Sequence, residues 1–115
     1  SNLKLVALAA LVAALFTPMA IASTPTLNGT VGPGFTITLT QAGKKVTKLT
    51  HGTYVIKVSD KSNIHNFRLK GPGVNKTTSV GGTGASTWTV TLKPGTYTFV
   101  CDPHATIMKG TFKVV

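Results

Sequence analysis

Only two acidic side chains, Asp60 and Asp102, face twelve Lys and Arg in this chain of 115 residues, and the formal net charge at pH 7 is +10. So lopsided a balance favours acidic partner proteins, or association with an anionic envelope surface, over basic partners. Nucleic acid is not indicated, because no aromatic residues interleave with the basic ones to form a binding face. Cysteine is scarcer still, since Cys101 stands alone. A single thiol excludes a disulfide framework and a c-type haem, whose Cys-x-x-Cys-His attachment needs a second cysteine. It also excludes a lipoprotein anchor, because no cysteine stands near the N-terminus. Helical periodicity, internal repeats and a second domain are missing as well. The Gly81-Gly82-Thr83-Gly84 run lacks the following Lys-Thr and helix of a phosphate loop, so it reads as a turn. With 42% apolar residues, one small folded domain is what the length allows.

The first 22 residues read as a segment apart. Lys4 precedes an apolar run from Leu5 to Phe16, Thr17-Pro18 breaks it, and Ala20-Ile21-Ala22 places small residues where a signal peptidase reads. The expectation is a signal peptide over residues 1–22, cleaved between Ala22 and Ser23, with export to a periplasmic or extracellular location. The alternative is a retained membrane anchor, for which the uncharged stretch from Leu5 to Ala22 is short and interrupted by Pro18. Export sharpens the meaning of Cys101. A free thiol in an oxidising compartment is tolerated when it is deeply buried or permanently occupied by a metal.

Residues 23–115 read as β throughout, with short alternating runs rich in Thr, Val, Ile and Tyr between Gly, Pro and Asn clusters. Strands are expected at Phe35–Leu39, Lys44–Lys48, Thr53–Ser59, His65–Leu69, Ser86–Leu92, Thr96–Cys101 and Thr111–Val115, with a further short one at Leu27–Val31. Turns are expected at Gly32-Pro33-Gly34, Gly43, His51-Gly52, Gly71-Pro72-Gly73 and Pro94-Gly95. Seven or eight strands so spaced imply an all-β fold, a Greek-key β-sandwich. Side chains two apart in a strand share a face, so Cys101 should point with Tyr97 and Phe99 into the core, and His65 with Phe67 and Leu69. Trp88, on a face with Val90 and Leu92, is expected in the core.

One segment carries chemistry. Cys101-Asp102-Pro103-His104-Ala105-Thr106-Ile107-Met108 puts a thiol, an imidazole and a thioether within eight residues, and His65 stands 36 residues upstream. Two histidines, a cysteine and a weak axial methionine are the ligand inventory of blue copper, because soft sulfur favours Cu(I) while imidazole serves both oxidation states. Zinc would use a tetrahedral Cys, His and carboxylate set and gains nothing from Met108. A Cys-His nucleophile pair would need a substrate cleft and an orienting partner, which a tight loop beside an inward-facing strand does not offer. His51, in a Thr50-His51-Gly52 turn, reads as a solvated loop residue.

From about Gly32 to Val115 the chain resembles the cupredoxins, of the plastocyanin and pseudoazurin type. The residues that carry the resemblance are His65-Asn66-Phe67, the Gly95–Cys101 strand, the Cys101–Met108 loop and Met108-Lys109-Gly110-Thr111-Phe112-Lys113-Val114. The resemblance implies His65, Cys101 and His104 as equatorial ligands of one type 1 copper and Met108 as the axial ligand. Asn66 resembles the residue whose backbone N–H donates to the thiolate sulfur and whose side chain ties the ligand loops together. Pro103 resembles the proline that removes a second donor to that sulfur, which raises the reduction potential. One departure is visible: three residues separate His104 from Met108, the azurin spacing, where plastocyanin has four.

The functional expectation is an exported, monomeric type 1 copper protein that carries single electrons between redox partner proteins and is not an enzyme. Enzymes on this fold hold further copper with several more histidines, and only His51 is spare. Removing the leader leaves eleven basic residues against two acidic ones, a net charge of +9, so acidic redox partners are expected. Docking is expected at the loop rim of Pro103, His104, Ala105 and Ile107, with electrons passing through His104. Two alternatives remain: a copper-handling protein that carries the ion itself, and a non-metal β-sandwich binding module.

Overall fold

The computed structural model describes residues 22–115, so the expected leader lies, apart from Ala22, outside the described residues. Among the described residues no helix is long and apolar enough to cross a membrane. Ten strands form two five-stranded sheets: β1 (Thr26–Val31), β2 (Ile37–Gln41), β3 (Lys44–Lys45), β4 (Lys48–Leu49), β5 (Gly52–Asp60), β6 (Arg68–Gly71), β7 (Val74–Thr77), β8 (Gly84–Leu92), β9 (Gly95–Val100) and β10 (Lys109–Val114). One sheet has the order β3-β2-β1-β5-β8 and the other β4-β10-β9-β6-β7. Pairing is antiparallel except where β1 runs beside β5 and β10 beside β4.

The inward faces explain why the sheets pack. In β9, Tyr97 and Phe99 are buried while Thr96 is exposed, and in β5 the buried positions Tyr54, Ile56, Val58 and Asp60 alternate with less buried ones. Between the sheets, Phe67 and Phe99 stack with centroids 6.0 Å apart, and Tyr97 stacks on Phe112 at 5.4 Å. Burying each such side chain contributes about 1.5–3 kcal/mol, so these rings are the main cohesive element of the core. The Phe99 ring occupies the place where a Cβ of residue 110 would stand; the space is open only because Gly110 has no side chain. The buried Tyr97 hydroxyl accepts the Lys93 N–H at 2.8 Å and has the Lys93 and Pro72 carbonyls within 2.9 and 3.1 Å to receive its own proton.

Four differences from the sequence reading have local causes. The single strand expected over Lys44–Lys48 is two, because the chain leaves one sheet after Lys45, buries Val46, and joins the other sheet at Lys48. Strand β7 was not anticipated, since it buries only Val74 and otherwise exposes polar residues as a sheet edge beside β6. His65 precedes β6 in irregular backbone rather than lying in a strand. Its burial, and that of Phe67, therefore comes from the connection packing beneath the loops and not from strand alternation; Asn66 between them is buried too. Trp88 is half-buried, packed on the core beside Phe67 at 6.2 Å between ring centroids.

Candidate metal centre

Three loops meet at one end of the sandwich. The β5–β6 connection delivers His65, held by a chain of short-range bonds: Asp60 Oδ1 accepts the Ser62 N–H at 3.0 Å, and Thr78 Oγ1 accepts the Phe67 N–H at 2.8 Å. The β9–β10 connection delivers the rest. Cys101 ends the β9 run facing inward, and Asp102–His104 form one 3₁₀ turn with Pro103 in its first turn, where a missing N–H costs nothing. The Cys101 N–H donates to the Met108 carbonyl at 3.0 Å, and the Met108 N–H donates to the His104 carbonyl at 2.9 Å, so the loop is closed by its own backbone. The third loop, between β1 and β2, brings Phe35 over the site.

The donor atoms converge. Cys101 Sγ lies 3.6 Å from the Nδ1 of both His65 and His104, and the two Nδ1 atoms are 3.1 Å apart. The point equidistant from three corners so spaced lies about 2.0 Å from each, close to the roughly 2.0–2.3 Å that imidazole nitrogen and thiolate sulfur keep from a divalent transition metal. Cys101 and His65 are fully buried and His104 is half-buried. Met108 is buried at the end of the same loop. His65 Nε2 is buried with no hydrogen-bond partner, so the polar chemistry of this ring is all on Nδ1, the atom that faces the sulfur. A borderline-soft ion that accepts two imidazoles and a thiolate satisfies these atoms; a hard cation seeking oxygen does not.

Around the triangle runs a polar brace. Asn66 Oδ1 accepts the Asp102 N–H at 2.7 Å, while its Nδ2 donates to Asp102 Oδ2 at 2.8 Å and to Thr77 Oγ1 at 3.0 Å. One side chain thereby joins the loop bearing His65, the loop bearing Cys101 and the end of β7. Arg68 grips Asp102 from outside, with Nε 2.9 Å from Oδ1 and Nη2 2.8 Å from Oδ2, and its Nη1 donates to Asn75 Oδ1 at 2.8 Å. The Arg68 guanidinium, seconded by Asn66, holds the Asp102 carboxyl below its usual range against the opposing effect of partial burial.

Apolar residues surround the half-buried His104. Pro103, Ala105 and Ile107 are all exposed on its loop. Phe35 and Ile64, which sequence reasoning missed, stand exposed at the same end. Phe35 sets its ring edgewise against both imidazoles, with centroids 5.2 Å from His65 and 4.9 Å from His104. A strand was expected from Phe35, which hid this role; the Gly-Pro-Gly turn beside it was the available signal. Arg68 and Thr77 also went unnoticed, since nothing local marks them. His51 is remote in role, its Nδ1 3.0 Å from the Val115 carbonyl.

The comparisons agree with this geometry. Residues 26–115 match the family model described as copper binding proteins, plastocyanin/azurin family. Among solved structures, rusticyanin from Thiobacillus ferrooxidans is 25% identical with a TM-score of 0.57, covering 82% of this chain and 79% of that one. A further rusticyanin structure, described as a copper protein, is 20% identical with a TM-score of 0.61 and the same coverage. Auracyanin from the photosynthetic bacterium Roseiflexus castenholzii is 22% identical with a TM-score of 0.56, covering 82% of this chain and 99% of that one. No curated protein matches the sequence. With the family model spanning nearly all described residues, the chain belongs to the copper-binding plastocyanin/azurin family, the cupredoxins, and its His65, Cys101 and His104 cluster with Met108 fits a type 1 copper centre.

Proposed function

We propose that this copper protein carries single electrons between larger redox partners, with His65, Cys101 and His104 as equatorial ligands and Met108 as the axial one. The observation that carries the reading is the triangle of Sγ and two Nδ1 atoms, 3.6, 3.6 and 3.1 Å on its sides, already assembled by loop hydrogen bonds. Bound there, copper supplies a one-electron couple. The chain supplies rigidity: Asn66 ties the two ligand loops, backbone bonds close the Cys101–Met108 loop, and the ring of Phe35 restricts water. A site so held changes oxidation state with little rearrangement, which is what fast electron exchange requires. Asn66 acts through its side chain, which bonds both the N–H and the carboxylate of Asp102, and Pro103 has no N–H to offer the thiolate.

His104 is the port for the electron, since it is the ligand nearest solvent, framed by Pro103, Ala105 and Ile107. The protein acts as an exported monomer, periplasmic or extracellular, and as a carrier rather than an enzyme, with acidic partners steered by its positive field. Voltammetry of the protein loaded with one equivalent of Cu(II) tests the reading. A reversible one-electron couple at one copper per chain is expected. Copper that binds but shows no reversible couple, and passes readily to a chelating acceptor, would make this an ion carrier instead.

A further inference from the structure

The basic residues are not spread evenly over the sandwich. On the outer face of the β4-β10-β9-β6-β7 sheet the strand registers place Arg68 and Lys109 on either side of Val100, Lys70 beside Thr98, and Lys113 beside Lys48. All four lysines are exposed, and their neighbours Leu49, Leu69, Phe112 and Val114 point into the core. Strand spacing confines these five cations to a patch of about 15 Å on a side. Among the described residues the one ion pair is Arg68 with Asp102, so none of the four lysines is ion-paired, and only Lys70 lies near enough to feel the Asp102 carboxylate. The outer face of the other sheet is different: only Lys45 and Lys57 rise from a surface of threonines. Charge that serves solubility alone has no reason to gather on one sheet.

We propose that the outer face of the β4-β10-β9-β6-β7 sheet is a docking surface for a carboxylate-rich protein partner, engaged chiefly by Lys70, Lys109 and Lys113. This deepens the electron-carrier reading and rests on it for the partner's redox role. The patch begins at Val100, one residue from the thiolate ligand, so a partner seated on it reaches the copper end without a second contact region. A depression of about 580 Å³, lined by Lys70, Lys109, Thr98 and Val100, gives protruding carboxylates a concave seat. A membrane is the poorer fit, because three of the five large exposed apolar residues, Phe35, Ile64 and Ile107, lie with the metal loops, leaving this face only Val115 just past the end of β10.

Titration of the reduced, ¹⁵N-labelled copper protein with an oligo-glutamate peptide tests the proposal without any assumption about electron flow. Backbone shifts should gather on β6, β9 and β10. The double variant Lys70→Gln/Lys109→Gln should bind about fivefold more weakly, the size expected of two exposed ion pairs, while Lys45→Gln/Lys57→Gln should bind as wild type does. Equal weakening by both pairs would mean that charge acts without location, and the proposal falls. Phosphatidylglycerol vesicles that bind with the Lys70/Lys109 dependence, while the peptide shifts nothing, would make this a membrane surface and overturn the protein partner. Voltammetry on the same sample separates the two readings: an intact peptide map without a reversible couple keeps the docking face and removes the electron-carrier role.

Discussion

Arg68 holds Asp102 by a forked contact, Nε to Oδ1 at 2.9 Å and Nη2 to Oδ2 at 2.8 Å, and Asp102 is the residue that follows Cys101. The only arginine and one of only two acidic residues in the chain are thus spent on the loop that carries the thiolate. Because Asn66 bonds the same carboxylate and the same residue's N–H, the ion pair reaches the His65 loop as well.

Arg68→Gln should therefore cost the metal-free domain about 0.5–1 kcal/mol near neutral pH, no more, since both partners are part-exposed and water screens them. The sign with pH follows from Asp102. Its carboxyl is held below the ordinary value of 3.8, chiefly by hydrogen bonding to Arg68, so the pair's contribution is complete above that value and is lost as pH falls through the lowered one. Urea unfolding of wild type and variant should differ near pH 7 and converge once Asp102 is protonated. A difference that grows on acidification would contradict the assignment.

Phe35→Ala removes the ring that stands edge-on to both imidazoles. Water then reaches the site and favours the more highly charged Cu(II), so the reduction potential should fall by about 40 mV, the one-electron equivalent of about 1 kcal/mol. Folding should be unaffected, because Phe35 is largely exposed. An unchanged potential would show that the ring decorates the site without sealing it.

Met108→Leu should retain copper on His65, Cys101 and His104 and raise the potential, since loss of a weak donor disfavours Cu(II). Identical spectra and potentials for variant and wild type would place Met108 outside the coordination sphere.

Gly110→Ala tests the core directly. The new methyl would run into the Phe99 ring and should destabilise the domain by about 1–3 kcal/mol through overpacking. Thermal unfolding at the wild-type temperature would mean that Phe99 moves aside at no cost.

How much of this was legible beforehand depends on how local each signal is. Cys101, His104 and Met108 lie in one loop whose ligand chemistry is written in eight consecutive residues, and His65 could be matched to them by donor type. Strands such as β5 and β9 were visible because apolar and polar residues alternate along them. The strand switch at Val46 was not, because both halves are lysine-flanked and only the three-dimensional partner differs. Arg68 with Asp102, and Phe35 above the two imidazoles, are pairings across 30 and more residues, for which composition offers no cue. Charge was misleading in a particular way: the lysines look scattered along the chain, and only the register of β4, β10, β9 and β6 gathers them on one face.

The most direct measurement is the visible absorption spectrum of the purified protein after one equivalent of Cu(II), taken beside Cys101→Ser. If His65, Cys101 and His104 hold copper as a trigonal set, the wild type should show an intense sulfur-to-copper charge-transfer band toward the red end of the visible, and the variant should fold but lose it, because a hydroxyl cannot supply that transition. A colourless wild type, or a variant that stays blue, would contradict the account.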